Sequence, residues 1–189
     1  SVSFLVIIVH QFLFQGMFIA KNILLKKKMG MQIRGKNPEA IAATVFFACF
    51  IALAFGFSAK QQPMWSVKVF TSTTAMIVGV GILLINLLIS AASLLHLKDS
   101  WRVGVLENQK TELITSGIYK YSRNPYFLSY LLMFAGYTIL IQNTILLLLS
   151  IVGFFFVHVM IQKEEAYLEL VHGSAYIEYK KKVPRYWIV

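Results

Sequence analysis

With 189 residues, 58% of them hydrophobic, and a mean hydropathy of +0.68, the chain is too apolar for a soluble domain of its length. Its formal net charge of +10 comes from 18 basic and 8 acidic residues, and the charges cluster between apolar runs, as loops between membrane spans require. This placement argues against nucleic-acid binding and assigns the positive charge to membrane orientation and to anionic lipid head groups.

A bilayer core of about 30 Å takes roughly 20 helical residues. In chain order, apolar stretches at 4–25, 40–59 and 69–95 predict three spans, and shorter ones at 126–141 and 144–161 predict a fourth and a fifth. Only Gln142 and Asn143 separate the last two, which predicts a tight antiparallel helical hairpin. No basic run precedes the first stretch, so a cleavable signal is not expected. Cys49 reads as a small buried hydrophobe within the second span. Gly79, Gly81, Gly136 and Gly153 read as points of close helix approach, and His10 and Asn86 as a polar contact between helices. His96 and His172 read as interfacial. The scattered histidines and single cysteine have no metal-site spacing, so no metal is expected.

Beyond the fifth stretch the helix is expected to continue to His172. Gly173 interrupts it, Ser174 is placed to cap a short further helix, and Pro184 ends that helix. Tyr176, Tyr179 and Val183 share one face of it, which reads as an amphipathic tail anchored at the membrane surface beside Lys180 to Lys182. The fold class is therefore an all-α polytopic membrane protein with about five transmembrane helices, a C-terminal helical hairpin and an amphipathic tail.

The cations set an orientation. Lys21, Lys26, Lys27, Lys28, Arg34 and Lys36 lie at the first connection, and Lys98, Arg102, Lys110, Lys120 and Arg123 at the third. Lys163, Lys180, Lys181, Lys182 and Arg185 follow the last span, while only Lys60 and Lys68 fall at the other end. The positive-inside rule then puts the N-terminus outside and the tail in the cytoplasm, in a multi-pass membrane protein.

Two polar islands share that cytoplasmic end. One runs from Leu113 to Tyr126 and the other holds Lys163-Glu164-Glu165 and the tail. Pro125 starts the fourth span, whose N-terminus carries partial positive charge and free N–H groups for an anion, next to Arg123 and Asn124. Glu164 and Glu165 leave the membrane beside it and suit sugar hydroxyls or an ammonium group. Tyr119, Tyr121, Tyr126 and Phe127 offer flat faces to a base or a cation. A ligand with a carboxylate, an ammonium, a ribose, a purine and a sulfonium matches this set. S-adenosylmethionine has all of them, and a nucleotide or a zwitterionic lipid head group fits less well.

The run L-I-T-S-G-I-Y-K-Y-S-R-N-P-Y from Leu113 to Tyr126 resembles the signature of the isoprenylcysteine carboxyl methyltransferases and the related phospholipid methyltransferases. Glu164-Glu165, Gly173, Tyr176 to Lys181 and Val183-Pro184 resemble the C-terminus of the same family. The resemblance spans about residues 100–185. It implies an S-adenosylmethionine-dependent membrane methyltransferase with a cytosolic pocket and a lipidic or amphiphilic acceptor from the bilayer. Carried across, the cofactor residues are Leu113, Ile114, Tyr119, Asn124, Pro125, Tyr126, Phe127 and Glu164, and the catalytic ones Arg123, Asn124 and Glu165. Residues 1–189 would then form one domain, with three spans in 1–95 and the cofactor region in 96–189.

Two departures from the family pattern bear on the substrate. Asn124 stands where the prenylcysteine enzymes usually carry histidine, and it takes no proton near neutral pH. Those enzymes also carry a substrate-contacting arginine about one turn before the acidic pair, where this chain has Val157-His158-Val159-Met160. Weak turnover of a prenylcysteine carboxylate is expected unless His158 or another basic residue supplies the partner. Phospholipid N-methylation or small-thiol S-methylation is the alternative within enzymes. A non-catalytic lipid-binding or transport-associated subunit is the alternative outside them.

Overall fold

The computed structural model describes residues 1–35, 37–60, 64–103, 106 and 109–187. Lys36, counted above among the cations of the first connection, lies outside the described residues. The helices are α1 (Val2–Met29), α2 (Pro38–Ala59), α3 (Ser72–His96), α4 (Pro125–Ile141), α5 (Thr144–His172) and α6 (Ser174–Lys182). Short 3₁₀ turns at Lys98–Ser100 and Gly117–Lys120 break the α3–α4 connection.

Local chemistry sets the helix starts. The Ser1 and Thr71 hydroxyls accept from the backbones of Phe4 and Thr74, and Asn143 accepts from Ile145 and Leu146. Pro38 and Pro125 open α2 and α4, where the missing N–H has no helical partner to lose. Four helices, α1, α2, α3 and α5, are long and apolar enough to cross a membrane. The fourth expected span, α4, has 17 residues, about 26 Å at helical rise, slightly short of a bilayer core. By contrast α5 has 29 residues, about 44 Å, so its C-terminal turns emerge from the core.

The exterior is apolar and the interior carries the polar groups. Phe12, Ile77 and Leu88 are largely exposed, while His10 and Asn86 are buried. That inversion suits lipid surroundings. The buried groups form one directed chain. Asn86 Nδ2 donates to the Ser129 carbonyl at 2.5 Å, so its Oδ1 accepts from His10 Nε2 at 2.7 Å. His10 Nδ1 then accepts from the Tyr137 hydroxyl at 2.7 Å, and Tyr137 accepts from Gln11 Nε2 at 2.7 Å. Every group is satisfied, and the chain ties α1 to α3 and α4.

Several expectations need correction. Cys49 is exposed on the outer face of α2, because Ala43, Phe50 and Ala54 supply that helix's buried stripe. Gly81 has no neighbour where a Cβ would stand, while Gly79, Gly136 and Gly153 do mark tight packing. Ser174 is the first residue of α6, not its cap; Gly173 holds the cap position and no side chain bonds there. Tyr176 and Tyr179 are buried against Leu113 and Leu168 instead of lying in an interfacial belt.

The hairpin behaves as its short connection predicts. Gln142 Oε1 accepts from the backbones of Val69 and Phe70 at 2.8 and 2.7 Å, and Asn143 Nδ2 donates to the Met64 carbonyl at 2.8 Å. The tip is thus stitched to the α2–α3 connection. At the opposite end Gly35 N–H donates to the Val103 carbonyl at 2.7 Å, and Val103 N–H to the Ile33 carbonyl at 2.8 Å. This parallel bridge ties the α1–α2 connection to the α3–α4 connection.

Candidate functional site

A cavity of about 420 Å³ opens at the end of the bundle that carries the bridge. All eight residues expected to hold a cofactor line it: Leu113, Ile114, Tyr119, Asn124, Pro125, Tyr126, Phe127 and Glu164. They come from the α3–α4 connection, the first turn of α4 and the emerging part of α5. The antiparallel hairpin is what brings the last of these beside the first two.

The signature glycine has a local reason. Gly117 sits at φ 62°, and a Cβ there would lie 2.5 Å from Nδ1 of His96. That nitrogen instead accepts the Ile118 N–H at 3.1 Å, so the turn folds onto the end of α3 and points Tyr119 inward. Tyr119 donates from its hydroxyl to the Ser93 carbonyl at 3.4 Å and accepts the Tyr179 hydroxyl on its own carbonyl at 2.7 Å. Burial, reinforced by Tyr179 and Glu164, pushes the Tyr119 hydroxyl well above its ordinary range, so it remains a neutral phenol. Tyr126 is walled by the Trp101 ring at 4.8 Å, edge to face.

The two acids diverge. Glu165 is buried and accepts from Arg123 Nε and Nη2, Asn124 Nδ2, and Arg185 Nε and Nη2, at 2.8 to 3.2 Å. Arg123 also donates through Nη1 to the carbonyls of Lys180 and Val183 at 3.0 and 2.8 Å. Every Arg123 N–H is therefore engaged. Hydrogen bonding to Glu165 holds the Arg185 guanidinium even higher than usual, so it stays charged. Arg123, Asn124 and Glu165, expected as reacting groups, form a clamp between the signature and the tail. Arg123 and Asn124 touch the cavity wall, and Glu165 does not line it. Glu164 does line it, and has no hydrogen-bond or ion-pair partner among the described residues.

Sequence reading missed much of the remaining wall. Arg34, Asn37, Glu39, Phe47, Trp101, Arg102, Met160, Lys163 and Tyr179 also line the cavity. The shared helical face of Tyr176, Tyr179 and Val183 was a signal for burial. No local signal marks the α1–α2 connection, which is tied to the α3–α4 connection by the bridge to Val103 and by Gln109 donating to the Gln32 carbonyl. His158 is not on the cavity wall; its Nδ1 pairs with the Tyr186 hydroxyl at 2.8 Å. Lys163, one turn beyond Met160, forms an ion pair with Glu39 across the gap between α5 and α2.

Residues 74–175, over half the chain, match the model of the phospholipid methyltransferase family. The chain belongs to that family. Among curated proteins it is similar to the protein-S-isoprenylcysteine O-methyltransferase of Schizosaccharomyces pombe, with 38% identity over 78 residues. That alignment covers 41% of this chain and 33% of the relative. It is also similar to the Xenopus laevis protein of the same name, with 32% identity over 84 residues, covering 42% of this chain and 29% of the relative. The chain thus matches about a third of the length of these curated relatives. The stretch shared with the phospholipid methyltransferase family contains α4 and α5, most of α3, the Gly117 turn and the Arg123–Glu165 clamp, while α1 and α2 precede it.

Proposed function

We propose that this protein transfers a methyl group from S-adenosylmethionine to a lipidic or amphiphilic acceptor at the cytosolic face of the membrane. The observation that carries the reading is the unpartnered Glu164 on a cavity walled by the signature residues. The residues suit the cofactor chemically. Glu164 has free acceptor oxygens for a ribose hydroxyl or an ammonium group. The Tyr126 and Phe127 N–H groups, in the first turn of α4, have no helical partner and can take a carboxylate. Tyr119, Tyr126 and Phe127 present flat faces for a base. Its volume falls within the range of small-molecule sites.

When bound, S-adenosylmethionine supplies a methyl group on a positively charged sulfur. The chain's part is to position and to exclude water. The clamp holds the signature against the tail, so Asn124 and Tyr126 keep fixed places on the wall. Trp101, Tyr126 and Tyr179 close the wall against water. A carboxylate or thiolate acceptor needs no further activation. An amine must lose a proton, and Glu164, one of the acids on the wall, can accept it. The 96–189 region carries the cofactor contacts, and 1–95 completes the same domain by lining the other side of the cavity.

The test is calorimetry of the full chain in lipid with S-adenosylhomocysteine. Binding at micromolar Kd is expected, about −8 kcal/mol. No binding by the wild-type protein overturns the reading.

A further inference from the structure

The charges on the cavity wall are not all paired, and among the described residues the acids Glu112 and Glu164 there have no ion-pair partner. Lys163 is paired with Glu39, and Arg123 with Glu165. Arg34 and Arg102 have no carboxylate within ion-pair distance among the described residues, although both line the cavity. The bridge between Arg34 and Val103 puts the two arginines on neighbouring backbone segments, about 5 Å apart at strand spacing. Both are held by neutral groups. Arg34 Nη2 donates to Thr44 Oγ1 at 3.2 Å. Arg102 donates through Nε to Gln109 Oε1 at 2.6 Å, and through Nη1 to the Asp99 and Trp101 carbonyls at 2.8 Å. These bonds fix the guanidinium groups without cancelling their charge. Asn37 lies on the same wall, and its buried Oδ1, an acceptor without a partner among the described residues, suits a donor and takes no part in holding an anion.

Burial costs the Arg102 guanidinium, the Asp99 charge beyond ion-pair distance offsets part of that cost, and an anion held between Arg102 and Arg34 would offset more. Below them the wall turns apolar along α2, from Ala43 through Phe47 to Ile51, and meets Met133 of α4. The nine residues of α2 from Ala43 to Ile51 give that trough about 12 Å of length. A cationic seat above an apolar trough suits a molecule with an anionic head and a hydrocarbon chain.

We propose that Arg34 and Arg102 form the seat for the anionic head group, carboxylate or phosphate, of the amphiphilic acceptor. This rests on the reading of the cavity as a methyl-transfer site. The pair supplies the cationic partner that Met160 and His158 do not, Arg34 from the connection that precedes the family-matched stretch and Arg102 from within that stretch. Arginine suits the role because its planar fork binds carboxylate and phosphate through paired hydrogen bonds.

The experiment measures binding of three single-chain probes to the full chain in neutral-lipid nanodiscs. Oleate carries a carboxylate, oleoyl lysophosphatidate a phosphate, and oleoyl ethanolamide a neutral head. At least one anionic probe is expected to bind tenfold or more tightly than the neutral one, and which of the two does so identifies the head group. Arg34→Gln and Arg102→Gln should each remove most of that preference. Arg34→Lys should keep part of it, and Lys120→Gln, away from the cavity wall, should keep all of it. S-adenosylhomocysteine affinity should be unchanged in these variants. Equal binding of all three probes to the wild-type protein overturns the proposal without reference to any variant. Loss of S-adenosylhomocysteine binding on Arg34→Gln, with probe preference intact, also overturns it by giving the seat to the cofactor. If the wild-type protein prefers anionic probes but binds no S-adenosylhomocysteine, the seat stands and the cofactor reading falls.

Discussion

Adjacent residues of the same type do opposite work here. Helical geometry turns Glu164 and Glu165 about 100° apart, so one faces the cavity and the other faces the tail. Glu165 with Arg123 is a buried pair, with side chains 4% and 8% exposed. Removing one member leaves an uncompensated buried charge, which costs about 3–5 kcal/mol. Glu165→Ala should therefore lower the melting temperature strongly. Glu164→Ala should leave melting nearly unchanged and weaken S-adenosylhomocysteine binding about ten- to a hundredfold, from a charged hydrogen bond worth roughly 1.5–3 kcal/mol. Thermal melting and calorimetry on the two variants separate the roles. Equal destabilisation by both substitutions would contradict the division of labour.

Among the elements, α3 and α4 pack most closely, and glycine sets their separation. A Cβ on Gly136 would stand 2.7 Å from Leu83 Cδ2, whereas one on Gly81 would meet nothing within 4 Å. Gly136→Val should force the helices apart and cost about 1–3 kcal/mol, as overpacking does. Gly81→Ala should gain about 0.5–1 kcal/mol from helix propensity. Unfolding in lipid measures both, and a Gly81→Ala loss as large as that of Gly136→Val would refute the packing assignment. The same contrast shows what sequence reveals. Apolar length located each span to within a few residues, and Pro125 marked the start of α4. The signature and the acidic pair pointed to residues that line one cavity, because both are local strings at the ends of a short hairpin. The direction each glycine or acid faces depends on partners far away in sequence, which no local pattern contains. The Arg34–Val103 bridge and the burial of Tyr179 under Tyr119 are of this kind.

On the scale of the whole molecule, the two ends of the bundle differ in charge and in role. Among the described residues, fifteen of the seventeen basic side chains lie in or next to the connections at the cavity end, and Lys60 and Lys68 at the end stitched by Gln142 and Asn143. If that end faces an anionic leaflet, as the proposed function implies, each nearby cation would contribute about 1 kcal/mol of attraction to its head groups. Such an asymmetry fixes orientation during insertion, because cationic connections are retained on the cytoplasmic side. In the proposed orientation, with the cavity facing the cytosol, a methyl donor made there would have direct access to it. Orientation can be read from single cysteines in a Cys49→Ala background, since Cys49 is exposed and must be removed. Ser66→Cys lies in the α2–α3 connection and Lys120→Cys in the turn after Gly117, both at exposed positions. A membrane-impermeant maleimide on intact cells should label Ser66→Cys at once and Lys120→Cys only after permeabilisation. The opposite pattern would place the cavity outside the cell, away from a cytosolic donor, and would overturn the proposed cytosolic reaction even if S-adenosylhomocysteine binds the purified protein.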